Sequence, residues 1–526
     1  MPTDSLGFID RDREPSDSHP AETSTRGWPQ PDQILRSVLA AVSVAAIGAV
    51  VIVAILRVRY PFELEWMEGG VVAHVRVVLS GQPLYRAPSL DFTPFIYTPF
   101  YYQVCAALSP VLGVGFLPAR LVSILAVAGS LALIASFVHR ESGDRLAALA
   151  AAGLFAATYE LTGFWFDIAR VDSLFLLLIL AGTWLARFPT SRLSALGSGV
   201  LLFLAFWTKQ TGLVLAAPAL VFALVSNWRR GLFSTGAFAL PVIAAVLGMH
   251  YVSDGWFGYY IFGAPAQHEI LWDRAPELAL SFFWNPVAVP MLLAGLAIVS
   301  DALHAQGRRV WLLYMLLTGC ALGTSYSSLL HRDGFVNVLM PGYAVLSMMA
   351  GLGYAWVSRQ TVSRSSCRLR ILRGFSAGGL VMGFLALAYD VRRAVPSAAD
   401  VSAAQQMIDG LKTAPGPILL LSSGNYGTMA GHGEVNAHAM ALADIFKTRD
   451  QNTMEHVRSE ILQAIREKHY RGIVIDRGWD VLPPEFAAEV RTRYRLASKL
   501  FPASAPNDGW PRNGFHTRPD ELWVPQ

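Results

Sequence analysis

Eleven apolar stretches separated by short polar breaks limit this chain to very few architectures. They fall at about 34–55, 117–138, 146–165, 172–188, 194–208, 211–227, 231–252, 285–304, 309–326, 337–358 and 372–390. Each is near the ~20 residues that a helix needs to cross a ~30 Å hydrocarbon layer. In lipid a helix satisfies its own backbone hydrogen bonds, so such stretches become helices. The expected fold class is an α-helical integral membrane protein with about 11 transmembrane helices. Only 15% of residues are charged, against roughly a quarter in a soluble domain. A net charge of +4 over 526 residues gives no footing to a nucleic-acid partner.

Polar residues and five prolines fill residues 1–33, a composition that cannot bury a core and predicts a disordered cytoplasmic tail. The first apolar stretch is too long for a signal-peptide core and ends without a small-residue cleavage site, so it stays as a span. Arg140 and Arg145, Arg187 and Arg192, Arg229 and Arg230, Arg308 and Arg309, and the group Arg359 to Arg373 fall in alternate loops. The positive-inside rule makes those loops cytoplasmic, which puts the N-terminus inside and everything after about 391 outside. The expected setting is the plasma membrane. Cys105, Cys320 and Cys367 lie far apart without metal-type spacing and read as packing residues.

The loops left on the outer face, 56–116, 166–171, 209–210, 253–284 and 327–336, plus everything after about 391, hold nearly all the chemically interesting residues. Among them are Glu63, Glu65, Glu68, Asp167, Arg170, Asp172, Lys209, His268, Glu269, His331, Arg332 and Asp333. Ionisable residues at the ends of spans mark pathways and sites. The densest group is Phe62-Glu63-Leu64-Glu65-Trp66-Met67-Glu68-Gly69-Gly70. Apolar positions then recur at helical spacing up to Gly81, which predicts an amphipathic helix lying on the membrane surface. Six aromatics within 92–102 read as an interfacial belt or as the wall of a groove for a lipid chain. Trp256 to Arg274 reads as a second aromatic belt or a cap. Single residues also have structural readings: Asp172 as a helix N-terminal carboxylate, Lys209 as a snorkelling cation, Arg332 paired with Asp333, and Glu63 paired with Arg59.

Beyond about 390 the composition becomes that of a soluble domain, expected over 392–526. A strand is predicted over Pro417–Leu421, a helix over Met454–Lys468 and a second strand over Arg471–Asp476, the alternation of a small α/β unit.

The acidic loop is followed by Ser80-Gly81-Gln82-Pro83-Leu84-Tyr85, Pro99-Phe100-Tyr101-Tyr102, Ala119-Arg120-Leu121 and Arg170-Val171-Asp172. In that order and topology the chain resembles the GT-C superfamily of polytopic glycosyltransferases over roughly 34–360. Within it the likeness is to glycosyltransferase family 39, the protein O-mannosyltransferase-like group, and to the lipid A aminoarabinose transferases. The resemblance implies inverting transfer of a sugar from a polyprenyl-phosphate donor to a glycan, lipid or protein acceptor on the outer face. Relatives carry an acid in the first outer loop, usually as Asp-Glu. Met67-Glu68 stands there, so Glu68 aligns best and Glu65 next. The second outer acid matches Asp172, the cation that meets the lipid phosphate matches Lys209, and Arg332 sits where relatives also carry an arginine.

Chemistry gives these residues roles. Single displacement at an anomeric carbon needs a base for the acceptor proton, and a carboxylate in a desolvated pocket serves. The departing phosphate needs cations, for which Lys209, Arg120, Arg170 and Arg332 are candidates. Glu68 and Asp172 together are candidates for holding a divalent cation, Mg or Mn. Two rival functions share these features: a transporter or flippase of lipid-linked saccharides, and an outer-face glycan polymerase or ligase.

Overall fold

A computed structural model describes residues 31–302, 307–363, 367–433, 436–501 and 509–526. The tail expected over 1–33 therefore lies almost wholly outside the described residues. The first nine helices are α1 (Pro31–Arg57), α2 (Glu68–Leu79), α3 (Phe100–Leu112), α4 (Phe116–Ser142), α5 (Arg145–Ala157), α6 (Asp172–Arg187), α7 (Arg192–Thr208), α8 (Gly212–Ser226) and α9 (Trp228–Val252). Four more long helices follow at Ala288–Ala302, Arg308–Leu330, Met340–Ser363 and Cys367–Ala386.

A helix occupies each of the eleven apolar stretches. Six helices are long and apolar enough to cross a membrane, or seven if the pair Trp272–Trp284 and Ala288–Val299, bent by 82°, forms one span. Helices α5 to α8 run only 13 to 17 residues. The expectation of about 11 spans thus meets eleven helices, of which these four are short for a straight crossing. Helix α9 shows why lipid is the solvent: Leu232, Phe233, Leu240, Ile243, Leu247 and Val252 all lie exposed on it, an apolar stripe that water would not tolerate. The chain is a multi-pass membrane protein.

Local sequence sets the helix ends. The Asp144 side chain accepts from the Leu146 and Ala147 amides to start α5, and Ser191 with Ser194 forms a capping box at α7. Small residues set the helix separations: a methyl on Gly199 would lie 2.2 Å from the Ser234 carbonyl oxygen, and one on Gly353 would lie 2.1 Å from that of Leu293.

Helix α2 departs from expectation. It ends where predicted, with Gly81 at a φ of 69°, but its residues from Glu68 to Val75 are all buried. It lies between the bundle and the C-terminal elements, so both faces are covered and neither meets lipid headgroups. Gly70 permits this packing, because a methyl there would lie 2.4 Å from the Phe95 ring. We expect Gly70→Ala to destabilise the protein by about 1–3 kcal/mol through overpacking. Thermal unfolding in detergent checks this, and an unchanged midpoint would mean that the loop yields freely.

After residue 397 a four-stranded sheet forms from β1 (Ile418–Leu419), β2 (Gly472–Ile475), β3 (Tyr494–Lys499) and β4 (Glu521–Pro525) in the order β1-β2-β4-β3. Strands β1 and β2 are parallel, and β4 runs antiparallel to both of its neighbours. β1, the helix Gln451–Arg466 and β2 lie where the sequence placed them. β3 carried no apolar signal because all but its first residue are exposed.

These elements clamp the acidic loop. Asn513 donates its amide to the Leu64 carbonyl (2.9 Å), Ser423 donates to the Glu63 carboxylate (2.9 Å), and Asn425 accepts from Arg76 (2.8 Å). Two buried imidazoles complete the seam, each fixed as a neutral tautomer. His74 donates through Nδ1 to the Gly70 carbonyl and accepts at Nε2 from the Phe95 amide. His438 donates to the Trp66 carbonyl and accepts from the Met440 amide. Burial pulls their pKa values down to about 3 and about 4.

Candidate functional site

The ends of α1, α5 and α7 and the starts of α4, α6 and α8 meet at one end of the bundle. There the chain collects its ionisable residues into four buried or nearly buried pairs.

The first pair is Arg57 with Asp167. The guanidinium also reaches the Ala394 carbonyl and the Asn513 side chain (3.1 Å each), so it ties α1 to the C-terminal elements. Arg57 carries no site signal in the sequence, because it closes the first apolar run and reads as a topological charge.

Glu68 and Arg120 form the second pair at 2.6 Å, both fully buried. All five guanidinium N–H groups are used: two contacts reach the Glu68 oxygens, and the others reach the carbonyls of Arg57, Tyr60 and Phe62. Glu68 additionally accepts from the Leu64 amide at 2.7 Å and the Ala169 amide at 2.7 Å. Arg120 therefore commits its donors to the protein, where the sequence had suggested a contact to the lipid phosphate. Glu68, first choice by resemblance, has both oxygens committed to holding the loop.

Glu65 and Arg170 are the third pair, at 3.3 Å. Glu65 Oε2 takes both the arginine and the Met67 amide (3.1 Å), whereas Oε1 is buried without a hydrogen-bond partner. Burial pushes the Glu65 carboxyl up to about 7; Arg170 opposes that rise and the Glu68 charge adds to it. Burial disfavours the charged Arg170, yet Glu65 and Tyr97 more than compensate and hold it protonated. Arg170 also donates to the Tyr97 hydroxyl at 3.2 Å. Tyr97 was legible only as one aromatic in a run of six.

Asp172 and Lys209 make the fourth pair at 2.7 Å. Asp172 accepts from the Trp165 indole at 2.9 Å, and Asn337 hydrogen-bonds to it from the helix-preceding turn at 336–339. The Lys209 side chain keeps 12% of its surface exposed, which makes it the accessible cation of the group. Its ammonium also lies 5.8 Å from the Tyr97 ring centre.

Arg332 stands apart. It pairs with Glu269 in an exposed bridge, not with Asp333, while Asp333 pairs with Lys447 (2.7 Å). Glu63 likewise bonds Ser423, not Arg59. The loop 253–284 packs on the C-terminal elements, with the Gln267 carboxamide accepting from the Arg449 amide.

The expected metal pair does not fit. Glu68 and Asp172 share no contact, and the oxygens of each are held by cations or N–H donors. Among the described residues, no group of three His, Cys, Asp or Glu is arranged to hold an ion.

A multi-pass helical bundle that gathers acids and arginines at one end under a mixed α/β cover has counterparts among known proteins. Residues 97–253 match the dolichyl-phosphate-mannose-protein mannosyltransferase family model. The crystal structure of ArnT from Cupriavidus metallidurans bound to undecaprenyl phosphate superposes with a TM-score of 0.56 at 14% identity, covering 91% of this chain and 97% of that one. The apo form of the same protein gives 0.51 at the same identity and coverage. At that identity the likeness is one of fold. No curated protein matches the chain by sequence.

Proposed function

We propose that this protein is a membrane glycosyltransferase that moves a sugar from a polyprenyl-phosphate donor to a glycan, lipid or protein acceptor at the outer face, with inversion. The observation that carries this reading is Glu65: a buried carboxylate near neutral pKa with one unpartnered oxygen, beside Arg170 and within a group that includes Lys209. Glu65 Oε1 takes the proton of the acceptor hydroxyl. The acceptor oxygen attacks the anomeric carbon from the side opposite the phosphate, the bond from that carbon to the phosphate oxygen breaks, and its electrons leave with the lipid phosphate. Lys209 and Arg170 meet the developing negative charge, and no acid is needed for that leaving group. Asp172 holds Lys209 in place. Capture of undecaprenyl phosphate by ArnT supports the donor class.

The test is transfer of labelled sugar from polyprenyl-phosphate donors by the purified full-length protein. Transfer with inversion supports the reading. No transfer across a broad donor and acceptor panel, together with movement of lipid-linked sugar across liposomes, would replace it with the transporter. We also expect Lys209→Met to weaken undecaprenyl-phosphate binding about 10-fold or more, the loss of a charge-assisted contact of about 1.5–3 kcal/mol, and Lys209→Arg to retain most of it. Equal binding by all three proteins would remove Lys209 from the donor site.

A further inference from the structure

Helices α4, α6 and α8 end, and α5, α7 and α9 begin, at the end of the bundle opposite the four ion pairs. The arginine pattern predicts that this end faces the cytoplasm. Here the corner between α8 and α9 stands beside the start of the helix Arg308–Leu330, because Arg309 donates to the Ser226 carbonyl at 3.2 Å. Four arginines therefore gather at one corner: Arg229 and Arg230 in the first turn of α9, and Arg308 and Arg309 in the first turn of the neighbouring helix. Arg229, Arg308 and Arg309 are exposed and Arg230 is half-buried. Among the described residues none of the four forms an ion pair. The carboxylates of the adjoining helix ends are engaged elsewhere, Glu141 by Arg187 and the Tyr314 hydroxyl at 2.6 Å each, and Asp144 by the first amides of α5. Like charges held together repel one another, a cost that a bound anion relieves.

Apolar surface runs away from these arginines along the bundle. Trp228 lies exposed, with the Arg229 guanidinium 5.4 Å from its ring centre. One turn further on, Leu232 and Phe233 lie exposed on the same faces of α9 as Trp228 and Arg229. Helix α8 packs against both α9 and the helix Arg308–Leu330, and it keeps Val214, Ala217, Val221 and Val225 exposed at helical spacing. Arginine and tryptophan above an apolar face mark the depth of lipid headgroups. We infer that this corner is a binding site for an anionic phospholipid, with its phosphate against the arginines and its acyl chains along the exposed faces of α8 and α9. Arginine binds phosphate oxygens bidentately, and basic pockets between spanning helices on the cytoplasmic side take anionic headgroups. A zwitterionic headgroup brings a cation of its own into the cluster and gains less. Free phosphate has no chains with which to cover the apolar faces. The site lies at the other end of the bundle from Glu65 and Lys209, so it holds whether or not the protein transfers sugar.

The experiment measures binding of radiolabelled phosphatidylglycerol to the full-length protein in detergent, competed by unlabelled phosphatidylglycerol, by phosphatidylcholine with the same chains, or by inorganic phosphate. It compares the wild type with Arg229→Gln plus Arg309→Gln, with the same two positions changed to Lys, and with Arg145→Gln, an exposed arginine at the same end of the bundle but on α5. We expect phosphatidylglycerol to compete about 10-fold or more better than phosphatidylcholine in the wild type, the size expected of a few arginines at a headgroup. The Gln pair should reduce that preference to about threefold or less, since two of the four charges are gone. The Lys pair, which keeps the charge, and Arg145→Gln should both retain it. Equal competition by the two lipids would overturn the inference, as would a preference that the Gln pair leaves unmoved or that Arg145→Gln lowers as far. Inorganic phosphate competing as well as phosphatidylglycerol would reduce the corner to an ion site and overturn it too. The expected preference in a protein that transfers no sugar would support the lipid site and count only against the glycosyltransferase reading.

Discussion

We expect replacement of Glu65 by Gln to lower sugar transfer by two or more orders of magnitude without unfolding the protein. Loss of a general base has this size of effect, and the amide keeps the shape that packs against Gly514 and Arg170. The pH profile carries the same signature. In the proposed mechanism the base works as the carboxylate, and burial pushes the Glu65 carboxyl up to about 7 from the usual 4.5. Transfer should therefore rise as pH climbs through about 7 and fall away below it. Stability runs the other way. A carboxyl whose pKa is raised by folding is at its most favourable below the unfolded value, and that contribution is lost as pH rises through the folded one. Glu65→Gln removes both dependences. A variant that keeps transfer within threefold of wild type, or a wild-type profile flat from pH 5 to 8, would exclude Glu65 as the base.

The second large effect is on folding. Glu68→Gln or Arg120→Met should destabilise the protein by about 3–5 kcal/mol, because each leaves its fully buried partner uncompensated. Against a total stability of about 5–15 kcal/mol, that means a sharp fall in folded yield. The double variant Glu68→Leu with Arg120→Met removes both charges and should recover part of the loss. Recovery stays incomplete because the Tyr60 and Phe62 carbonyls lose their donor. Melting temperature and yield in detergent measure this. Wild-type melting of Glu68→Gln together with abolished transfer would return Glu68 to the catalytic role that its alignment implies.

Much of the scaffold was legible because its signals are local. Each apolar stretch became a helix, Gly81 stopped α2, and the alternation of strand and helix after residue 397 emerged in place. The site was legible as a neighbourhood: Glu65, Glu68, Arg170, Asp172 and Lys209 all meet at one end of the bundle. What the sequence did not carry was the surroundings of each carboxylate. Glu68 aligned better than Glu65, yet Glu68 meets an arginine 52 residues away with all four of its contacts filled, whereas Glu65 meets one 105 residues away and keeps an oxygen spare. Helix α2 was misplaced for a related reason. Its apolar spacing describes one buried face, and the elements that cover its other face lie more than 300 residues further on.

The sequence by itself determined the class of fold, since a backbone in lipid must satisfy its hydrogen bonds within each segment and twenty apolar residues declare that solution locally. Tertiary structure alone decided which carboxylate oxygens are left without a partner, Oε1 of both Glu63 and Glu65 among them. Burial and the count of donors around an oxygen set that property, and both are supplied by residues that folding brings from Arg57 to Asn513.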